Sequence, residues 1–198
     1  MTDALVRQLE RSRDLGFLGP GPVEEHVRHA TGFLAALEGT TGRVLDLGAG
    51  GGVPGLVIAL ERPDLELVLV DAMGKRCRFL EAAVEVLGLR ATVIEGRAEA
   101  LGRGPLRASV DAVVARSFGP PATTAECAAP FLRPGGQLLV SEPPDADGRW
   151  PAEGLAELGL VALPPAPGAP LVQRLCQETT CGDRYPRRDG VPAKRPLF

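Results

Sequence analysis

The stretch Val44 to Gly55 limits this chain more than any other: Val-Leu-Asp-Leu-Gly-Ala-Gly-Gly-Gly-Val-Pro-Gly. An apolar strand runs into a cluster of glycines, and a helix begins at once. Gly48 and Gly50 to Gly52 free the backbone for left-handed angles and let a ligand come close to the main chain. Pro54 suits the first helical position, where a missing amide costs nothing. The helix after it aims its free amides and positive end at whatever lies over the turn. Strand, turn and helix in this order predict a nucleotide-type pocket in an open α/β sheet. A glycine-rich connection without a ligand is the bland alternative.

A dinucleotide fingerprint wants glycines at its first, third and sixth places. Here Gly48 and Gly50 fill the first and third, but Val53 stands at the sixth. That argues against a nicotinamide oxidoreductase, which would also need more chain for a substrate domain. Asp46 lies at the carboxyl end of the strand, where a carboxylate favours a cationic ligand over a pyrophosphate. The Asp-x-Gly-x-Gly-x-Gly turn resembles motif I of class I methyltransferases, which bind S-adenosylmethionine.

At 198 residues the chain reads as one domain with a sizeable core. We divide it into a helical N-terminal extension over 1–42, a core over 43–182 and a basic tail over 183–198. The net charge of -3 excludes a general nucleic-acid coat, so any RNA contact must come from a local basic patch. Cys77, Cys127, Cys176 and Cys181 form no Cys-x-x-Cys pair. No zinc or other metal and no disulfide framework is expected, and reduced thiols point to the cytoplasm. Asp3, Arg7, Glu10 and Arg11 are unlike a signal peptide, and no apolar stretch is long enough for a membrane. No sequence feature sets an oligomeric state.

Residues 2–15 read as a helix with Leu5, Leu9 and Val6 on one face. Val23–Leu37 reads as a second, carrying Val27, Ala30, Leu34 and Leu37 at helical spacing. His26, Arg28 and His29 face the other way, as a solvated surface or as an edge of a substrate cleft. Strands follow at Arg43–Leu47, Leu65–Val70, Ala91–Glu95, Val110–Ala115 and Gln137–Val140. Helices fall at Pro54–Glu61, after Asp71, and at Pro121–Leu132. Met73, Cys77, Leu80, Val84 and Leu87 make the stripe of the helix after Asp71, with Lys75, Arg76 and Arg78 as its solvated side.

Asp71 lies about 20 residues past the glycine turn, where a ribose-binding acid is expected; it also suits a cap of the next helix. Arg116 follows an apolar strand directly, at the end where open α/β sheets bind ligands, or is an incidental surface cation. Arg133 to Gly136 should turn the chain, and Ala152–Leu158 forms a short helix. Val161–Leu163 and Leu171–Cys176 read as two strands joined by a rigid loop over Pro164 to Pro170. Such a pair suits the antiparallel edge of a methyltransferase sheet. The fold expected is therefore α/β: a Rossmann-like class I methyltransferase sheet, mostly parallel, with an antiparallel C-terminal edge pair. Pro143-Pro144-Asp145 does not match the Asn/Asp-Pro-Pro-Tyr motif of amino-methyltransferases, which belongs after the fourth strand.

Four stretches together are similar to the RsmG (GidB) family of bacterial 16S rRNA guanine-N7 methyltransferases. They are Asp46 to Gly55, Gly74-Lys75-Arg76 through Phe79-Leu80, Asp111 to Ser117, and the tail Tyr185 to Leu197. Leu18-Gly19-Pro20 and Arg28-His29 extend the likeness. The resemblance implies S-adenosylmethionine as cofactor. It would put Gly48 and Val53 in the pocket and Ala98 and Glu99 beside adenine, together with Asp46, Gly50 and Asp71, which the residue pattern itself places there. It implies Arg116 at the cofactor and substrate cleft as the catalytic residue, and small-subunit rRNA or a ribosomal subunit as partner. His29, Arg187, Arg188 and Lys194 would meet the substrate, with Tyr185 stacking on a base. The tail has a second reading, as simple packing through Tyr185, Val191 and Leu197.

Two features depart from the family pattern. Its Trp-Asn…Asn-Leu-Thr segment is absent, and Glu142-Pro143 stands where Lys-Gly is usual. An anion there should repel phosphates at the mouth of the cleft. Alternative readings are a methyltransferase for another RNA or a small molecule, and a non-catalytic module that binds the cofactor or RNA.

Overall fold

The computed structural model describes residues 2–143, 148–166 and 170–198. Two helices come first, α1 (Asp3–Asp14) and α2 (Val23–Ala36). The alternating part then runs β1 (Arg43–Leu47), α3 (Gly55–Glu61), β2 (Glu66–Asp71), α4 (Gly74–Leu87), β3 (Ala91–Glu95), α5 (Ala98–Leu101), β4 (Val110–Ala115) and α6 (Pro121–Ala128). It closes with β5 (Leu132–Ser141), α7 (Ala152–Ala156), β6 (Leu160–Leu163), β7 (Val172–Gln177) and α8 (Val191–Lys194).

The seven strands form one sheet in the order β3-β2-β1-β4-β5-β7-β6. Strands β1 to β5 pair in parallel, while β7 runs antiparallel to β5 and to β6. Both faces are covered, which explains why the central strands read as apolar runs rather than as alternations. The period of two still sorts their residues. Leu45, Leu47, Val68, Val70, Val113 and Ala115 join α6, Phe131 and Tyr185 in one cluster. Val44, Leu67, Ala112 and Val114 turn to the opposite face, where Phe33, Leu37 and Ile58 meet them. Asp46 shares that second face by parity. The strand order reverses at β1, so the crevice lies at the carboxyl ends of β1 and β4.

Boundaries depart from the sequence reading in places with physical causes. Pro54 is the N-cap of α3 rather than its first helical residue. Met73 is 48% exposed and precedes α4, so it leaves the apolar stripe, and Phe79 is buried in its place. The helix expected to reach Leu132 ends at Ala128 and tightens to a single 3-10 turn over Ala129–Phe131. Pro130 lacks the amide needed to continue it. Arg133 to Gly136 do not end a turn before β5. They bulge out of β5 itself, between the Val110–Leu132 and Ala112–Gln137 pairs. Residues 144, 145 and 167–169, parts of the Pro-Pro-Asp stretch and of the expected rigid loop, lie outside the described residues.

The tail is tied down rather than loose. Arg107 donates to the carbonyls of Gly102 (3.2 Å), Tyr185 (2.8 Å) and Cys181 (2.6 Å). Tyr185 is 4% exposed and its hydroxyl donates to Glu157 at 2.7 Å. It belongs to the core, so the expected stacking of Tyr185 on a base does not hold. Arg187 grips the fully buried Glu126 through Nη2 at 2.6 Å and Nε at 2.9 Å. Arg187→Ala would leave that carboxylate buried without its counter-charge. We expect a loss of about 3–5 kcal/mol, read from urea unfolding midpoints against the parent protein.

Candidate active site

The glycine turn is held by two carboxylates at the ends of neighbouring strands. Asp46, 1% exposed, accepts the Gly55 amide at 2.8 Å. Asp71 accepts the Gly50 amide with Oδ2 at 2.9 Å and the Met73 amide with Oδ1 at 2.8 Å. It thereby ties the turn to the start of α4, with Arg76 Nη1 3.6 Å from Oδ2. Arg76 is thus drawn in from the solvated side where the sequence placed it. From the first helix, Ser12 Oγ donates to the Gly51 carbonyl at 2.9 Å. A Cβ on Gly51 would stand 2.6 Å from that oxygen, so the close approach demands glycine.

Beside the turn opens a cavity of about 200 Å³, lined by Gly48, Asp71, Ala98, Glu99, Phe118 and Cys127 among others. Gly48 has φ +72, and a Cβ there would lie 2.7 Å from the Phe118 ring. Ala98 opens α5, whose first amides have no acceptor inside the helix. The Glu99 carboxylate accepts from Arg97 at 2.7 Å and from the Gly190 amide at 2.8 Å, so the tail helps to wall this cavity. Ala193 lines it too. Bare glycine, a strand-end acid and the start of α5 in one cleft fit an adenosine-bearing ligand. Asp46, Gly50 and Val53 lie behind this wall: Gly50 is committed to Asp71, and Val53 is 5% exposed in the cluster with Leu56 and Leu80.

A second cavity of about 580 Å³ is lined by His26, His29, Arg116, Phe118, Glu142 and Trp150 among others. Phe118 lines both cavities and stands between them. Ser117, a non-glycine residue at φ +56, turns the chain sharply between Arg116 and Phe118. Strain of this kind gathers at ligand sites. Arg116 Nη1 lies 3.2 Å from His26 Nδ1. A guanidinium only donates, so Nδ1 accepts and the ring's Nε2–H donates to the Gly19 carbonyl at 3.0 Å. That chain of contacts explains why Leu18-Gly19-Pro20 and the strand-end arginine belong together. His29 is exposed on the same wall. Partial burial, then the charges of Arg116 and Arg28, hold its imidazole below the usual range, against Glu25.

Glu142 does not act as the sequence suggested. Its side chain is 2% exposed and is paired with Arg149, while its other oxygen accepts the Trp150 indole N–H at 3.0 Å. The anion is neutralised within the wall and presents no bare charge to a phosphate. Phe118, Arg149 and Trp150 are the site residues that sequence reasoning passed over. For Phe118 a signal was available, two places after Arg116 in the same strand-end run.

A third cavity, of about 630 Å³, lies in the tail between Arg103, Arg184, Arg188, Lys194 and Arg195 among others. Arg188 and Lys194 are exposed, whereas Arg187 is committed to Glu126.

A seven-stranded sheet in this order, with a glycine turn and a cleft at its carboxyl edge, defines an S-adenosylmethionine-dependent class I methyltransferase. Solved methyltransferases share the fold. An S-adenosylmethionine-dependent O-methyltransferase from Thermotoga maritima superposes with a TM-score of 0.57 at 14% identity, over 85% of this chain and 69% of that one. The antibiotic-resistance methyltransferase Kmr gives 0.55 at 18% identity, over 77% and 93%. The family model for rRNA small subunit methyltransferase G, GidB, matches residues 22–143. Ribosomal RNA small subunit methyltransferase G of Moorella thermoacetica is 37% identical over 83% of this chain and 73% of its own length. That of Symbiobacterium thermophilum is 35% identical over 98% and 86%. The chain belongs to the rRNA small subunit methyltransferase G family.

Burial pushes the Asp46 carboxyl up from 3.8 to about 7, against the Gly55 amide and the Arg116 charge. Between those values the folded protein holds a proton that the unfolded chain has lost, so stability falls as pH rises through this window. Asp46→Asn keeps an acceptor for Gly55 and removes the titration. The drop in unfolding free energy from about pH 5 to about pH 8 should be smaller in the variant, measured by urea titration at both.

Proposed function

We propose that this chain transfers a methyl group from S-adenosylmethionine to N7 of a guanine in small-subunit 16S rRNA. The observation that carries the reading is the pair of adjoining cavities parted by Phe118, with Arg116 at the strand end beside the larger one. S-adenosylmethionine supplies an electrophilic methyl when bound. Gly48, Asp71 and the backbone at Ala98 and Glu99 hold the adenosine in the smaller cavity, with the remaining acceptor capacity of Asp71 toward the ribose. Asp46 and Gly50 act from behind, by fixing the turn.

Guanine N7 carries a lone pair at neutral pH, so no proton need leave before attack. The protein's task is to align nucleophile and methyl and to exclude water. Orientation of this kind supplies up to roughly 7–11 kcal/mol. Arg116, pinned by His26, orients the base, and His29 lies at the same wall as a substrate contact. Cys127 lines the cofactor cavity, but burial pushes its thiol up to about 12. It therefore stays protonated and does not compete as a nucleophile.

Arg188 and Lys194 meet RNA phosphates from the tail, while Arg187 holds the tail in place. The partner is the small ribosomal subunit, and the setting is the cytoplasm. Among the described residues no helix is long and apolar enough to cross a membrane.

Arg116→Ala is expected to lower methyl transfer to undermethylated small subunits by on the order of 10²-fold, the cost of a misplaced reacting group. Its unfolding midpoint should stay near the parent's. Full activity in this variant would remove Arg116 from the site, and methylation of metabolites but not of subunits would overturn the substrate. Arg188→Ala and Lys194→Ala should each reduce the slope of log affinity against log salt by about 0.7–0.9, read from RNA binding across a salt series.

A further inference from the structure

The larger cavity holds a residue that the reading above leaves without a task. Trp150 is the chain's single tryptophan. Its ring lines the cavity together with Arg116, His29 and Phe118. An indole has one donor and no acceptor, and that donor is already taken by Glu142 Oε1 at 3.0 Å. Glu142 is itself fixed: its side chain is 2% exposed, and its second oxygen is paired with Arg149. The ring is therefore held in orientation by a neighbour in the same wall, with its hydrogen-bonding capacity spent. The ring also packs on the core cluster, so what is left for the cavity is its carbon and π surface.

We propose that Trp150 is the platform on which the target base stacks, and that Glu142, clamped by Arg149, is the positioning residue that sets the plane of the ring. The inference rests on the reading of this cavity as the substrate side of a base-methylating site, and it names how the base is gripped there. Enzymes that act on a base take it out of its stack and hold it against aromatic or apolar side chains. Splayed RNA bases are bound in the same manner, on aromatic faces or arginine planes. A cavity of about 580 Å³ falls in the usual range for small-ligand pockets, about 300–1,000 Å³. Arg116 and His29 then supply the polar contacts at the edge of the base, and Trp150 supplies contact with its face. The Glu142–Arg149 pair also explains how a carboxylate is tolerated in a cleft that must admit RNA.

Tryptophan emission reports this cavity alone, because no other tryptophan is present. Guanosine monophosphate should quench the emission of the protein loaded with S-adenosylhomocysteine, and ribose 5-phosphate should not. Trp150→Leu should lower kcat/KM on undermethylated small subunits by roughly tenfold or more, in line with the loss of one base stack. Its affinity for S-adenosylmethionine, measured by calorimetry, should be unchanged. Trp150→Phe should restore most of the loss. The proposal is overturned if guanosine monophosphate leaves the emission unchanged, if the leucine variant is as active as the parent, or if phenylalanine rescues nothing. Should the leucine variant fail to fold, the quenching of the parent protein still decides. A parent protein that methylates no subunit but is quenched by guanosine monophosphate would sink the rRNA reading and support the platform.

Discussion

Two carboxylates accepting backbone amides hold this site together. Asp71 reaches across to Gly50, and Asp46 to Gly55, so the glycine turn hangs between β1 and β2 and cannot relax toward either. Glycine makes such a turn possible but also makes it floppy, since it has the most conformational freedom to lose. The carboxylates supply the missing rigidity from side chains that are themselves buried. Burial of Asp46 is costly when it is charged, and that cost is the physical signature of a group kept for the geometry it imposes. The turn, the start of α3 and the start of α4 are all fixed by these two residues.

The same economy appears on the far wall. Arg116 is set by His26, and His26 by the Gly19 carbonyl. Trp150 is set by Glu142, and Glu142 by Arg149. In each case one residue of the cavity wall is oriented by a neighbour in the same wall, so that little ordering is left to do when a substrate arrives. Ser117 in a left-handed conformation is the counterpart in the backbone, since it lets Arg116 and Phe118 face different parts of one cleft.

Much of the fold was legible because its signals are local. The apolar runs at β1, β2 and β4 and the glycines after β1 declare themselves within a few residues, and the antiparallel pair at the end follows from two short runs. Asp46, Gly48, Asp71 and Arg116 could be singled out for the same reason, each by its distance from a strand end, although Asp46 lies behind the cavity wall with its carboxyl on the Gly55 amide. What could not be read depends on contacts between distant segments. Nothing near Arg187 announces that Glu126 will take its charge, 61 residues away. Nothing near Tyr185 shows that it will be buried, and a basic stretch with one aromatic reads equally well as an RNA arm. Val53 occupies a ligand-like place in the turn, yet helix packing turns it toward the core. Glu142 was misjudged as a bare anion because its partners, Arg149 and Trp150, lie past the end of its strand.

The short helix α8 carries a consequence of its own. Ala193 lines the smaller cavity beside the glycine turn, and its neighbour Lys194 lines the basic hollow outside. In the function proposed above, a cationic cofactor and a polyanion would meet a single turn of backbone from its two sides. Whatever factor a polyanion on the outer side imposes on the affinity of the inner one, thermodynamic reciprocity requires the inner ligand to impose the same factor in return. A turn of four residues would in this way be a lever arm with an end in each hollow.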